Sequence, residues 1–311
     1  MRLLSPGFFK FAFKLIVSIS LLSLILYFVG INRALGELAG ANVFYILAAV
    51  ALVPFQMLFK SIKWSAIIDM FGQHIRLLPS LAYTFISLAF GLVTPARLGE
   101  FVKAKYLADK TKMGYKRAFM TVVIDKSFDV MAIAFMGLIG ASFLGSRIPN
   151  SSIFIPILVS LLIALCLSFF YFDAILSFLL KLFPEKYRPR LDEMNLNGKL
   201  YTKILLYSLI IWAIYTSEAF FILKSLGVNT VPVSGVMGAL SLMALSSAIP
   251  ISLGGIGVRE IAAISFLLIL GVEAEKSAVF SLIFTFISFG IPAIAGSILY
   301  AGLKDAAKSP P

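Results

Sequence analysis

Long apolar runs without period-two alternation fill most of the chain, and short polar, largely basic stretches separate them. Water is absent from a bilayer's hydrocarbon core, so a spanning segment must pair its own backbone groups; such runs predict helices, whereas a barrel would alternate. The runs at 15–31, 43–59, 118–145, 153–172, 204–223 and 277–301 predict spans, the second kinked at Pro54. The run at 118–145 would be about 42 Å long as a helix and must tilt or project. Two further runs are broken. One, at 77–107, is stopped by Thr94 and Pro95; the other, at 234–270, is interrupted between Pro250 and Gly257 by Pro250, Gly254, Gly255 and Gly257. Each predicts a hairpin that enters the membrane and leaves on the side it came from, with irregular backbone that must be buried in protein or line a wet cavity.

The two prolines, Pro95 and Pro250, lie 155 residues apart in a chain of 311. Each half therefore reads span, span, hairpin, span, and an odd number of net crossings inverts the second half relative to the first. The expected fold is an all-α polytopic membrane protein. It is one transmembrane domain, 1–311, built of two inverted repeats, 1–150 and 151–311, each with three spans and one broken or re-entrant hairpin. In transporters of this plan the substrate site lies at the breaks.

Composition agrees: 60% hydrophobic residues, 14% charged and a mean hydropathy of +0.99 exclude an ordinary soluble domain. The net charge of +12 would suggest nucleic acid in a soluble protein. Here 21 of the 27 Lys and Arg residues fall on one predicted side, in 1–14, 60–76, 97–117, 181–203 and the last residues, against 4 on the other: Arg33, Arg147, Lys224 and Lys276. That bias predicts a multi-pass protein of the cell membrane with both termini cytoplasmic, and it makes anionic lipid headgroups, not nucleic acid, the expected partners. No persuasive cleavage site follows the first run, which is expected to be retained. Cys166 and His74 are the only residues of their kinds, so neither a metal site nor a cofactor is expected.

An ionisable side chain held at the bilayer centre costs at least about 2.5–3.5 kcal/mol on insertion scales, so each needs a partner or a wet cavity. Arg97 and Glu100 flank the first break, and Arg259 and Glu260 the second; Asp125 and Asp129 lie four apart on one helix face. The candidate substrate-binding set is Thr94, Pro95, Arg97, Gly99, Glu100, Gly254, Gly255, Gly257, Arg259 and Glu260. Unpaired N–H groups at the breaks and the planar forks of the arginines suit phosphate oxygens. The plainer alternative is that Arg and Glu in each motif neutralise one another or anchor the interface. Asp125 and Asp129 are candidates for proton or ion coupling, or else for a salt bridge to Lys126 or a hairpin arginine. Glu218 is placed near the outer interface, solvated or hydrogen-bonded.

The run from Thr94 to Lys103 (TPARLGEFVK), the segment 122–129 (VVIDKSFD) and the glycine motif from Pro250 to Glu260 together resemble the transmembrane region of lysylphosphatidylglycerol synthases. That region is the flippase part of the multiple peptide resistance factor, and it also occurs in stand-alone flippase-like proteins. The resemblance covers nearly the whole chain. It implies movement of lipid between leaflets. Ala96 stands where glycine is common and Lys126 where arginine is common, and the 311 residues carry no aminoacyl-transferase domain. The expectation is therefore a flippase or transporter of an anionic phospholipid or a polyprenyl-phosphate-linked lipid that does not itself synthesise lysylphosphatidylglycerol. A membrane-embedded transferase acting on a lipid-linked substrate and a non-transporting scaffold for cell-envelope enzymes stay open beside it. So do homo-oligomerisation and partnership with cell-envelope lipid-modifying enzymes.

Overall fold

The computed structural model describes residues 6–111, 113–145 and 198–306. The expected span at 153–172, Cys166 within it, and the polar connection up to residue 197 lie outside the described residues.

Helix α1 (Pro6–Val29) ends at Gly30, whose φ of 86° turns the chain into the short α2 (Ile31–Ala39). Helix α3 (Val43–Asp69) starts at Asn42, whose side-chain oxygen accepts the Phe44 N–H at 3.0 Å and supplies one orphan donor of the first turn with its partner. It continues through Pro54 and well beyond the apolar run that predicted it. Lys60 and Lys63, expected in a cytoplasmic connection, are therefore helical residues. The pattern ends at Phe59 because the helix there stops facing apolar neighbours, although lysine is itself a good helix former.

The first hairpin is α4 (Leu77–Leu92), a break at 93–97, a 3-10 turn (Leu98–Phe101) and α5 (Val102–Lys110). Helix α6 (Tyr115–Gly145) follows, then α7 (Gly198–Ser225) after the undescribed stretch. The second hairpin is α8 (Val233–Ser247), a break at 248–257 and α9 (Val258–Ile269). The last apolar run is not one regular helix: α10 (Ala274–Thr285) passes through a single π-turn (Phe286–Gly290) into α11 (Ile291–Ala306). Pro292 has no N–H to give to the carbonyl one turn back, which favours a widened turn at that place.

Four described helical stretches are long and apolar enough to cross a membrane: Phe11–Val29, Val43–Asp69, Lys199–Ser225 and Ala274–Lys304. Their outer faces carry Tyr27, Phe28, Phe44 and Ile298, all more than two-thirds exposed, as side chains meeting acyl chains should be. The limbs of the hairpins are shorter. With 16 residues α4 is about 24 Å long, and with 15 residues α8 is about 22 Å, less than a hydrocarbon core of about 30 Å.

The two tips meet. Pro95 and Leu253 form an antiparallel bridge, and the Gly254 N–H donates to the Thr94 carbonyl at 3.0 Å. Gly254 has a φ of +55°, and a Cβ there would lie 2.4 Å from the Leu92 carbonyl oxygen, so glycine is the residue that lets the tips touch. The Leu253 N–H donates to Ser18 Oγ of α1 at 3.0 Å. Backbone N–H groups at the second break are thus paired within the protein. Elsewhere Gly140 of α6 packs on Gly238 of α8, and Gly296 of α11 on the α4 backbone at Phe85, close approaches of the kind small residues permit.

Buried apolar residues form two clusters, one containing Met57, Leu88, Met136, Tyr215 and Leu240, the other Trp64, Tyr83, Ile124, Phe128 and Ile204. Along α3 the change from one to the other falls between Met57 and Trp64, where Lys60 and Lys63 stand. A charged layer divides the core.

Candidate functional site

At the first break the Thr94 hydroxyl donates to the Phe90 carbonyl at 2.9 Å and accepts the Gly99 N–H at 2.6 Å, clamping the end of α4 to the turn that follows. Ala96 (φ 48°) and Arg97 (φ 57°) both take the left-handed conformation that side chains disfavour, and the chain reverses over them. The reversal brings Arg97 to Glu100 at 2.6 Å, while the other oxygen of Glu100 takes Lys126 of α6. One carboxylate serves two cations here.

At the second break Glu260 folds back on the start of its own helix. It accepts the Gly257 N–H at 2.6 Å, the Thr285 hydroxyl of α10 at 2.6 Å and Arg259 Nε at 3.1 Å. A carboxylate in the first turn of a helix also faces the positive end of its dipole. Arg259 Nη2 is buried and has no hydrogen-bond partner among the described residues. The two arginines, 162 positions apart in the sequence, converge on one ring: the Arg97 guanidinium lies 4.5 Å from the Phe289 centroid and that of Arg259 4.8 Å. Both distances fall within cation–π range. Phe289 sits in the π-turn, an irregularity of the kind that accompanies functional positions.

On α6, Asp125 and Asp129 face α3, and Lys63 stands between them at 2.7 and 2.6 Å. Lys103 of α5 takes the second oxygen of Asp125 at 2.6 Å and lies 4.8 Å from the Trp64 centroid. The repulsion expected of two carboxylates one turn apart is thereby offset by two lysines. Lys60, one turn before Lys63 on α3, has no ion pair among the described residues; its ammonium donates to the Tyr215 hydroxyl at 2.6 Å.

These groups surround one cavity of about 220 Å³. Lys60, Lys63, Arg97, Lys103, Lys126 and Arg259 line it with Glu100, Asp125 and Asp129, six cations to three carboxylates. Apolar walls come from Leu88, Ile133, Ile211, Leu240, Met243 and Phe284. Lys63, Lys103 and Arg259 have nearly all their side-chain surface covered, at 1, 4 and 2% exposed, whereas Arg97 and Lys126 keep 22 and 37%. The accessible positive charge is therefore that of Arg97 and Lys126, with the half-buried Lys60 beside it and Arg259 Nη2, unpartnered among the described residues, behind it.

Of the residues singled out in the sequence, Arg97, Glu100, Asp125, Asp129 and Arg259 line the cavity. Glu260 lies directly behind Arg259. Thr94, Pro95, Gly99, Gly254, Gly255 and Gly257 stand outside the lining, in the backbone junction that joins the hairpins and packs them on their neighbours. Pattern reading missed Lys60, Lys63 and Lys103, which it assigned to basic connections, and Tyr215 and Phe289, two among 11 tyrosines and 29 phenylalanines. Pro292, three residues past Phe289, is the one local signal for the wide turn. Glu218, expected near the outer interface, is fully buried and accepts the Ser288 hydroxyl at 2.6 Å.

Residues 11–296 match the family model described as the lysylphosphatidylglycerol synthase TM region. The chain is also 26% identical over 320 aligned positions to a UPF0104 membrane protein of Pyrococcus horikoshii, an alignment covering 92% of this chain and 95% of that protein.

Proposed function

The chain belongs to the family of the lysylphosphatidylglycerol synthase transmembrane region, and from the charge of its cavity we propose that it moves an anionic phospholipid or polyprenyl-phosphate-linked lipid between leaflets. The observation that carries this reading is the excess of cations around a cavity at the junction of two broken hairpins. A headgroup phosphate crosses a bilayer slowly because hydrocarbon cannot solvate its charge. Fixed cations and donors in a partly dry cavity replace that solvation. Arg97 offers a planar fork to two oxygens, Lys126 and Lys60 add point charges, and Arg259 presents its unpaired Nη2 at the deep end. The acyl or polyprenyl chain stays outside, against the exposed apolar helix faces.

In this reading the halves are inverted repeats, and the hairpins open the cavity alternately to each side. Both termini lie on the cytoplasmic side of the cell membrane. Four of the 21 basic residues counted for that side, Lys60, Lys63, Arg97 and Lys103, line the cavity, and the remaining 17 against 4 keep the same sign. A metal between Asp125 and Asp129, which a transferase mechanism would use, gains no support, because the Lys63 ammonium occupies that position.

The test is leaflet exchange in proteoliposomes carrying headgroup-labelled lipids. Phosphatidylglycerol is expected to exchange at least about tenfold faster than phosphatidylcholine, a discrimination of about 1.4 kcal/mol. Arg97→Ala should fall to the protein-free rate while remaining folded in detergent, with Arg97→Lys intermediate. Equal exchange of both lipids, untouched by Arg97→Ala, would overturn the reading.

A further inference from the structure

Glu218 lies on α7 one turn from Tyr215, with no exposed surface, inside the larger apolar cluster. Its Oε2 accepts the Ser288 hydroxyl at 2.6 Å; its Oε1 is buried with no hydrogen-bond partner among the described residues. No lysine or arginine pairs with it among those residues, unlike Glu100, Asp125, Asp129 and Glu260, each of which has a cation within 3.1 Å. Lys60 of α3 comes to its neighbourhood through Tyr215, whose hydroxyl accepts the Lys60 ammonium at 2.6 Å. Tyr215 of its own helix is the neighbouring titratable side chain, and the π-turn contributes Ser288. Gln56, one turn before Lys60 on α3, is likewise fully buried, with both amide atoms unpartnered among the described residues. In apolar surroundings a neutral carboxylic acid costs far less than a lone carboxylate.

Lys60 links this group to the cavity. Its ammonium lines the cavity and donates to the hydroxyl of Tyr215, one turn from Glu218 on α7. An anionic headgroup engaging Lys60 from the cavity side adds negative charge near Glu218, which favours the protonated acid. By linkage, protonation of Glu218 frees Lys60 for the headgroup and strengthens headgroup binding by the same factor.

We propose that Glu218 is the proton-coupling carboxyl of the transport cycle, taking up one proton as an anionic headgroup enters the cavity and releasing it as the headgroup leaves. The inference rests on the headgroup reading above. Hydronium on the more acidic side gives its proton to Oε1, where an O–H bond forms. On the other side, once Lys60 has lost the phosphate, the proton returns to water and the carboxylate faces the ammonium again. Asp125 and Asp129 suit this role less well because Lys63 and Lys103 hold them as ions.

The test uses the full-length protein in detergent, titrated with short-chain phosphatidylglycerol in weakly buffered solution with a pH dye, since a phosphodiester does not itself titrate near neutrality. Wild type is expected to take up close to one proton per lipid bound at some pH in the neutral range. Glu218→Gln, which preserves shape and still accepts from Ser288, should bind the lipid and take up none. In proteoliposomes a pH gradient should speed exchange several-fold for wild type and leave Glu218→Gln unchanged. Lipid binding by wild type without proton uptake, or uptake retained in Glu218→Gln, overturns this inference alone. Absence of any lipid binding by wild type overturns the headgroup reading and this one with it.

Discussion

The two hairpin breaks use the same ingredients, proline, glycine, arginine and glutamate, to opposite ends. In the second, Arg259 and Glu260 are 2 and 1% exposed at the side chain, and Glu260 is fixed by a backbone N–H, a hydroxyl and the guanidinium. In the first, Glu100 is shared between Arg97 and Lys126, whose side chains keep 22 and 37% of their surface open, and the backbone turns through left-handed Ala96 and Arg97 without a glycine. One break is locally neutral and locked. The other carries surplus positive charge on strained backbone facing the cavity. Similar motifs can therefore divide the labour of one site, the second as a fixed floor and the first as the part that receives charge.

The largest effect is expected from removing the lock. Glu260→Gln leaves Arg259 as an uncompensated buried cation, which should cost about 3–5 kcal/mol and appear as a large drop in the thermal unfolding midpoint in detergent. Glu100→Gln frees cations that water in the cavity can reach, and should cost no more than about half as much. Equal losses at the two positions would erase the distinction between a locked and an open break.

A smaller effect separates the tips themselves. In Gly254→Ala the added Cβ falls 2.4 Å from the Leu92 carbonyl oxygen at a positive φ, so the contact between hairpins must open. The expected cost is about 1–3 kcal/mol, from overpacking and strain together. Faster proteolysis or hydrogen exchange at both tips, not at one, is the accompanying sign.

The smallest effect has the opposite sign. Ala96 holds a left-handed conformation that costs an alanine about 1–2 kcal/mol. Glycine would remove that strain but lose about 0.5–1 kcal/mol through greater freedom in the unfolded chain. Ala96→Gly should therefore stabilise by up to about 1.5 kcal/mol, raising the unfolding midpoint slightly, whereas alanine at Gly254 lowers it. This also explains in physical terms why glycine suits that position.

Much of this molecule was legible in the order of its residues. Apolar runs marked the described helices, although α1 starts before its run and α3 continues past its own, and Thr94, Pro95, Pro250 and the glycines through Gly257 marked the breaks, because backbone preferences act over a few neighbours. The breaks in turn pointed to Arg97 and Arg259. Lys60 and Lys63 were not legible: a run that ends in lysine looks the same whether those lysines meet water or carboxylates on another helix. Nor was Phe289, whose ring matters only because two breaks far apart in sequence deliver their arginines to it.

The sequence by itself determined a helical membrane protein with two interrupted hairpins and a small set of charges at their tips, since hydropathy, helix breaking and the cost of charge in lipid are properties of short stretches. Only the tertiary structure decided which cation answers which carboxylate. It set Lys63 between Asp125 and Asp129, divided Glu100 between two cations and left Glu218 without an ion pair among the described residues, because Coulomb partners are chosen by distance in space and the nearest ones here come from other helices.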